Sequence, residues 1–312
     1  MTKTKYNQIG SSETICETTF DFSDYQKVVP EHKNKLNKEF LTYFIGFFEG
    51  DGSLLMNYKR GSVEFVLDQH SNELAFLNNL RTTLGYGKVI RLKTRNMGRL
   101  FIGNEKNLLK IIHLLNGNLS IPARREQFGD FLTMYNTKYG TNIEFKNYGP
   151  SVSLNTSWLC GFTDAEGCFM LNIRQKKDGV VSVQARYSIT QKTEPIITAI
   201  RNLFVKTDTN KRYDPSWEGY EFYIGNKKAR VKLIQYFQRY KLKTKKRIAY
   251  LHWRNAHHLI VKKIHLTVEG YRIIEKIAGK LKNINQKLKI ESDLTRNGKD
   301  VLPNEGSSNI NG

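Results

Sequence analysis

Two short segments carry residues whose types and spacing could do chemistry: "FIGFFEGDG" at 44–52 and "LCGFTDAEG" at 159–167. Each runs from apolar residues into an acid, Asp51 or Glu166, followed at once by glycine. A carboxylate at the C-terminal end of a helix faces the negative pole of the helix dipole, so placing one there twice asks for compensation. If the two segments pack side by side about a pseudo-twofold axis, the carboxylates meet and repel unless a cation lies between them. Hard oxygen ligands of this kind suit Mg²⁺, which keeps part of its water shell and accepts phosphate oxygens. The small residues predict that packing. Gly46 and Gly50 lie four apart on one helical face, as do Gly161 and Ala165, and small residues so spaced let two backbones approach closely. Glu49 and Asp164 stand two residues before the acids, so on a helix they point elsewhere and read as interface hydrogen-bonding groups.

The elements that must position these residues occur twice. Gly46 aligns with Gly161 and Asp51 with Glu166 at one constant offset. At a slightly longer offset, "FIGNEKNLLKIIHLL" falls on "YIGNKKARVKLIQYF", Gln69 on Gln191 and Arg124 on Lys246. The difference is an insertion, and the polar "RQKKDGVV" is a natural hairpin for it. Each copy opens with a helix, as Leu41, Phe44, Ile45 and Phe48 recur at helical spacing. Strands follow, such as the alternating Val181, Val183, Ala185, Tyr187 and Ile189, then a helix, a second hairpin and closing helices. The pattern predicts an α+β fold: two pseudo-symmetric αββαββα units forming a saddle of antiparallel sheets with helices on one face. The expected divisions are a mobile extension over 1–36, a first unit over 37–135, a linker over 136–153, a second unit over 154–295 and a mobile tail over 296–312.

Lys and Arg outnumber Asp and Glu by 50 to 29, giving a net charge of +21, and a polyanionic partner explains that imbalance. Nucleic acid is the first candidate and an anionic membrane surface the second. No apolar run approaches the roughly 20 residues of a membrane span, and the N-terminal stretch lacks the apolar core of a secretory signal. Three cysteines with no CxxC pair argue against a disulfide framework or a zinc site. The histidines of "HWRNAHH" fit no ligand spacing and read as packing or surface residues. Asn57, Lys59, Arg174, Lys176, Gln184 and Arg186 lie at alternating strand or loop positions of the open sheet face. A curved basic β-surface of that kind suits the major groove of double-stranded DNA.

The paired motifs in tandem αββαββα units resemble the LAGLIDADG homing endonucleases of the monomeric, two-repeat type, over about residues 38 to 290. The resemblance implies that Asp51 and Glu166 bind catalytic divalent cations. It places the family's cleavage-site glutamine on Gln69 and Gln191, and its basic residue near the closing helix on Lys246, with Arg124 standing there in the first unit. It also implies cleavage of both DNA strands at a long asymmetric site in intron homing, by a chain encoded in an organelle, the mitochondrion before the chloroplast. The competing reading is an RNA maturase that helps its host intron RNA to splice, with or without cutting DNA.

Overall fold

The computed structural model describes residues 19–30, 36–92, 95–175, 181–205 and 211–297. The first unit runs α2 (Lys38–Asp51), β1 (Gly52–Asn57), β2 (Ser62–His70), α3 (Leu74–Leu84), β3 (Lys88–Leu92), β4 (Met97–Ile102), α4 (Glu105–Leu115) and α5 (Pro122–Tyr139). It is preceded by the short α1 (Ser23–Val28). The second unit repeats the order as α6 (Trp158–Glu166), β5 (Gly167–Gln175), β6 (Val181–Gln191), α7 (Glu194–Asn202), β7 (Lys211–Asp214), β8 (Gly219–Ile224), α8 (Lys227–Arg239) and α9 (Lys246–Val261). A long α10 (Val268–Asn297) follows. The sheets are both antiparallel and four-stranded, ordered β1-β2-β4-β3 and β5-β6-β8-β7.

Repeated residues explain repeated boundaries. The Gly-Asn pair after each inner hairpin ends a strand and caps a helix: Asn104 Oδ1 accepts from Asn107 N, and Asn226 Oδ1 from Ala229 N. Asn37 does the same for α2, accepting from Phe40 N at 2.7 Å. On each sheet one face is apolar and lies on the helices. Phe65, Leu67, Leu100 and Ile102 belong to the buried core of the first unit, and Phe169, Tyr187, Phe222 and Ile224 to that of the second. The alternation of strand side chains turns the intervening residues to the opposite, open face.

The two units meet along α2 and α6, which make the most extensive helix–helix contact in the molecule among the described residues. A Cβ placed on Gly46 would lie 2.0 Å from the Trp158 carbonyl oxygen, and one on Gly161 1.9 Å from that of Tyr43. Lower down, a Cβ on Gly50 would meet that of Ala165 at 2.3 Å. Glycine at 52 answers to a different constraint. Its φ is an ordinary −75°, but a side chain there would strike the Phe48 ring at 2.0 Å.

The chain departs from the expected divisions at its N-terminal end. Residues 20–29 do not trail from the first unit. Phe20, Phe22, Tyr25 and Val29 are buried, and α1 packs on α4. Asn118 clasps the backbone of Asp21 through both its amide atoms, and Lys146 pairs with Asp24 at 2.8 Å. The burying residues are few and irregularly spaced, which is why the segment reads as aperiodic. At the other end α10 presents Ile274, Ile277 and Leu281 at helical spacing to α9 and β5 and reaches β2 of the first unit. The expectations for 1–18, 31–35 and 298–312 lie outside the described residues.

Gly161→Ala is expected to lower stability by about 1–3 kcal/mol through overpacking against α2. Gly279→Ala, in α10 with nothing within 4 Å of its Cβ, is expected to raise it by about 0.5–1 kcal/mol. Urea unfolding midpoints of the two variants make the comparison.

Candidate active site

The packing of α2 on α6 brings the ends of both helices together. Asp51 is the last residue of α2 and Glu166 the last of α6. The Gly50 backbone abuts Ala165 and Glu166, so that a Cβ there would lie 3.2 Å from Glu166 Cγ. Both acids are partly exposed, whereas Leu41–Glu49 of α2 and Trp158–Asp164 of α6 are buried. The amide of Gln69, at the end of β2, donates to Asp51 Oδ2 at 2.8 Å. Gln191 behaves differently: its Oε1 accepts from the backbone N–H of Lys192 at 2.9 Å. The Gln69 and Gln191 side chains are therefore not equivalent in this structure.

Arg124 and Lys246 are equivalent. Arg124 Nε donates to the Glu49 carbonyl at 3.0 Å and Nη2 to that of Gly50 at 3.2 Å. Lys246 Nζ donates to the carbonyls of Thr163, at 3.4 Å, and Ala165. Each cation thus occupies the negative pole of the helix that ends in an acid, which answers the cost noted from the sequence. Burial pulls the Arg124 guanidinium below its usual pKa, while Glu49, Glu166 and Asp51 push it back up. One guanidinium therefore feels both terminal acids.

Glu49 and Asp164, buried two residues before the terminal acids, form the frame around them. Glu49 Oε1 accepts from the Ile121 N–H at 2.6 Å, just before α5, and Oε2 from Trp158 Nε1 at 2.5 Å, in α6. Asp164 Oδ2 accepts from the Lys243 N–H and from the Tyr43 hydroxyl, both at 2.6 Å, and Oδ1 from Thr244 Oγ1 at 2.6 Å. In each half the carboxylate ties down the start of its own closing helix and an aromatic donor of the opposite motif helix. Burial is the dominant influence on both: it raises the Glu49 pKa to about 7 against four stabilising neighbours, and raises that of Asp164 likewise.

Sequence reasoning did not single out Tyr43 and Trp158. Yet they stand at the same repeat offset as the motifs, one helical turn before Gly46 and Gly161. His257 proves a packing residue, its Nδ1 accepting from Arg230 Nε at 3.1 Å in the core.

The open sheets carry the remaining candidates. Asn57 ends β1 and its Oδ1 accepts from the Arg60 N–H, Lys59 is exposed in the turn beyond, and Arg174 is exposed on β5. Gln184 packs across Gly225. Arg186 pairs with Glu221 at 2.7 Å and stacks over the Tyr223 ring at 4.0 Å. Lys176 lies outside the described residues. The open faces are not uniformly basic, since Glu64 and Asp68 on β2 and Glu221 on β8 share them with the cations.

Two tandem units joined through acid-ended, glycine-bearing helices beneath paired open sheets define a two-repeat class. The family model for the LAGLIDADG endonuclease matches residues 44–135 and 159–257, and the chain belongs to that family. A probable intron-encoded endonuclease of Neurospora crassa is 35% identical over 249 residues, covering 79% of this chain. The chain spans only 44% of that relative's length. An uncharacterized cox1 intron-2 protein of Schizosaccharomyces pombe is 28% identical, covering 88% of this chain and 83% of the relative. Among solved structures, the LAGLIDADG meganuclease I-CpaMI bound to uncleaved DNA superposes with a TM-score of 0.63 at 20% identity, over 77% of this chain and 98% of that one. The meganuclease I-SmaMI, bound to an uncleaved DNA target in the presence of calcium ions, gives 0.59 at 18% identity, over 78% and 98%. At such identities the likeness establishes the fold.

The proton on Glu49 gives a signed expectation. Its folded pKa of about 7 lies above the ordinary glutamate value of 4.5, so between those pH values the folded chain holds a proton that the unfolded chain has released. Stability from this group is therefore present below 4.5 and lost as pH rises through about 7. The loss is on the order of 3 kcal/mol from the span of the shift. Glu49→Gln should flatten that part of the stability profile, measured by urea unfolding at pH 5, 6, 7 and 8. An unchanged slope in the variant would contradict the assignment.

Proposed function

We propose that this chain is a site-specific endonuclease for double-stranded DNA. It would hydrolyse one phosphodiester bond in each strand of a long asymmetric target during intron homing. The observation that carries the reading is the junction of α2 and α6. Two acids of opposite halves end adjoining helices there, each helix end bearing its own cation, below sheets whose open faces can track a duplex. The relatives support it, since one is a probable intron-encoded endonuclease. The cox1 intron location of another supports a mitochondrial origin. Because the halves come from one chain and differ in sequence, a monomer suffices and its target need not be a palindrome.

The donor set fits a hard divalent cation, for which we favour Mg²⁺. Asp51 and Glu166 offer carboxylate oxygens only. Two carboxylates leave the rest of the coordination sphere to water and substrate phosphate, as such cations require. Bound there, the cation would supply Lewis-acid polarisation of a phosphate and make water more acidic. The chain's own residues do the positioning. Asp51 and Glu166 would hold the cation, and Gln69 fixes the Asp51 carboxylate through its 2.8 Å hydrogen bond. Arg124 and Lys246 keep positive charge beside the scissile region and offset negative charge developing on the leaving oxygen. Gln191 orders solvent on the second strand. The exposed Lys59 and Arg174 hold the phosphate backbone or base edges outside the cleavage region.

Asp51→Asn and Glu166→Gln should each lower cleavage of a mapped target by at least about a hundredfold, as expected when a preorganised electrostatic group is lost. Duplex binding, followed by gel shift without divalent cation, should change little. Cleavage by either variant at the wild-type rate would remove the metal assignment. Chelation of divalent cations should stop the wild-type protein in the same assay.

A further inference from the structure

Two acids on a face meant for polyanion demand a reason, and Asp68 supplies one. It stands on β2 directly opposite Arg99 of β4, on the open side of the first sheet. The adjoining register pair, Leu67 and Leu100, faces the helices instead. Asp68 Oδ1 accepts from Arg99 Nε and Oδ2 from Nη2, both at 2.7 Å. The carboxylate is nearly buried, with 4% of its side chain exposed, while 22% of the Arg99 side chain remains open. As a phosphate-binding element this pair is poor, because the acid cancels the charge that phosphate would seek. As a base-reading element it is well made. A guanidinium has five N–H donors, and Asp68 takes the two on one edge. Three are left, including the pair at the Nη1–Nη2 end, whose parallel geometry matches the O6 and N7 acceptors of guanine. Holding the other edge fixes the plane of the fork before DNA arrives, so less side-chain entropy is lost on binding.

We propose that Arg99, held by Asp68, reads a guanine in the major groove of the target half bound by the first sheet. The proposal rests on the DNA-endonuclease reading above and gives it a base and an address. Arg99 touches the base; Asp68 is a positioning residue. The second sheet breaks the symmetry. At the equivalent register pair it has Thr190 opposite Glu221, and Glu221 pairs instead with Arg186 and Arg212. The guanine therefore belongs to one half of the site and not the other.

The test is selection from a pool of randomised duplex DNA by the full chain, with wild type, R99K, R99A and D68N in parallel. Wild type should enrich a site in which one position of one half is strongly guanine. R99K keeps the charge but not the fork, and should lose roughly ten- to a hundredfold of preference at that position alone. R99A should lose the same preference. D68N, which loosens the fork, should weaken the same position to a lesser degree. Binding of all four to a non-specific duplex should agree within about threefold, which also reports that each is folded. An R99K profile that superimposes on wild type overturns the proposal. So does one in which every position weakens together, the signature of a phosphate contact. If wild type enriches no sequence at all, the endonuclease reading fails first and this inference falls with it.

Discussion

The closeness of α2 to α6 governs the rest of the molecule. Their backbones touch at Gly46 and Gly161 with no room for a single carbon, and lower down the Gly50 backbone meets the Ala165 methyl. Contacts of this kind leave no slack. A helix that meets its partner through main-chain atoms cannot roll or slide to absorb a change, as one packed through flexible side chains can. The place where each helix ends is therefore fixed relative to the other. Asp51 and Glu166 inherit that fixity, since they are the terminal residues of the two helices.

The same helices sort four carboxylates into two kinds. Glu49 and Asp164 are sealed between the halves, where desolvation favours their neutral forms and hydrogen bonds from Ile121, Trp158, Lys243, Thr244 and Tyr43 oppose it. Asp51 and Glu166, two residues further on, emerge at the open end. A helix turns by roughly 200° over two residues, so adjacent acids can serve opposite purposes, one binding the frame and the other facing the cleft. Arg124 and Lys246 complete the division by bonding to the terminal carbonyls, which neutralises the helix ends without occupying the carboxylates.

The open sheets follow another logic. Charge there is organised in cross-strand pairs and stacks, such as Asp68 with Arg99 and Arg186 over Tyr223, rather than spread as an even basic coat. Fixed guanidinium groups discriminate; free lysines attract. On the proposed reading, a surface that holds both kinds would bind any duplex weakly and a chosen one well.

Most of this was legible in the residues themselves. The doubled motif, the small residues at four-residue spacing and the Gly-Asn caps are local codes, set by helix geometry and by the backbone groups each helix end must satisfy. They determined two αββαββα units and named Asp51, Glu166, Arg124 and Lys246 as counterparts. Local codes could not say that Gln69 reaches Asp51 while Gln191 turns to its own neighbour, or that Tyr43 and Trp158 cross to bond the opposite half. Nor could they show residues 20–29 clasped by Asn118 and Lys146, or Asp68 and Arg99 paired across strands. Those contacts join residues far apart in the chain, and only the packing of whole elements brings such partners within hydrogen-bonding distance.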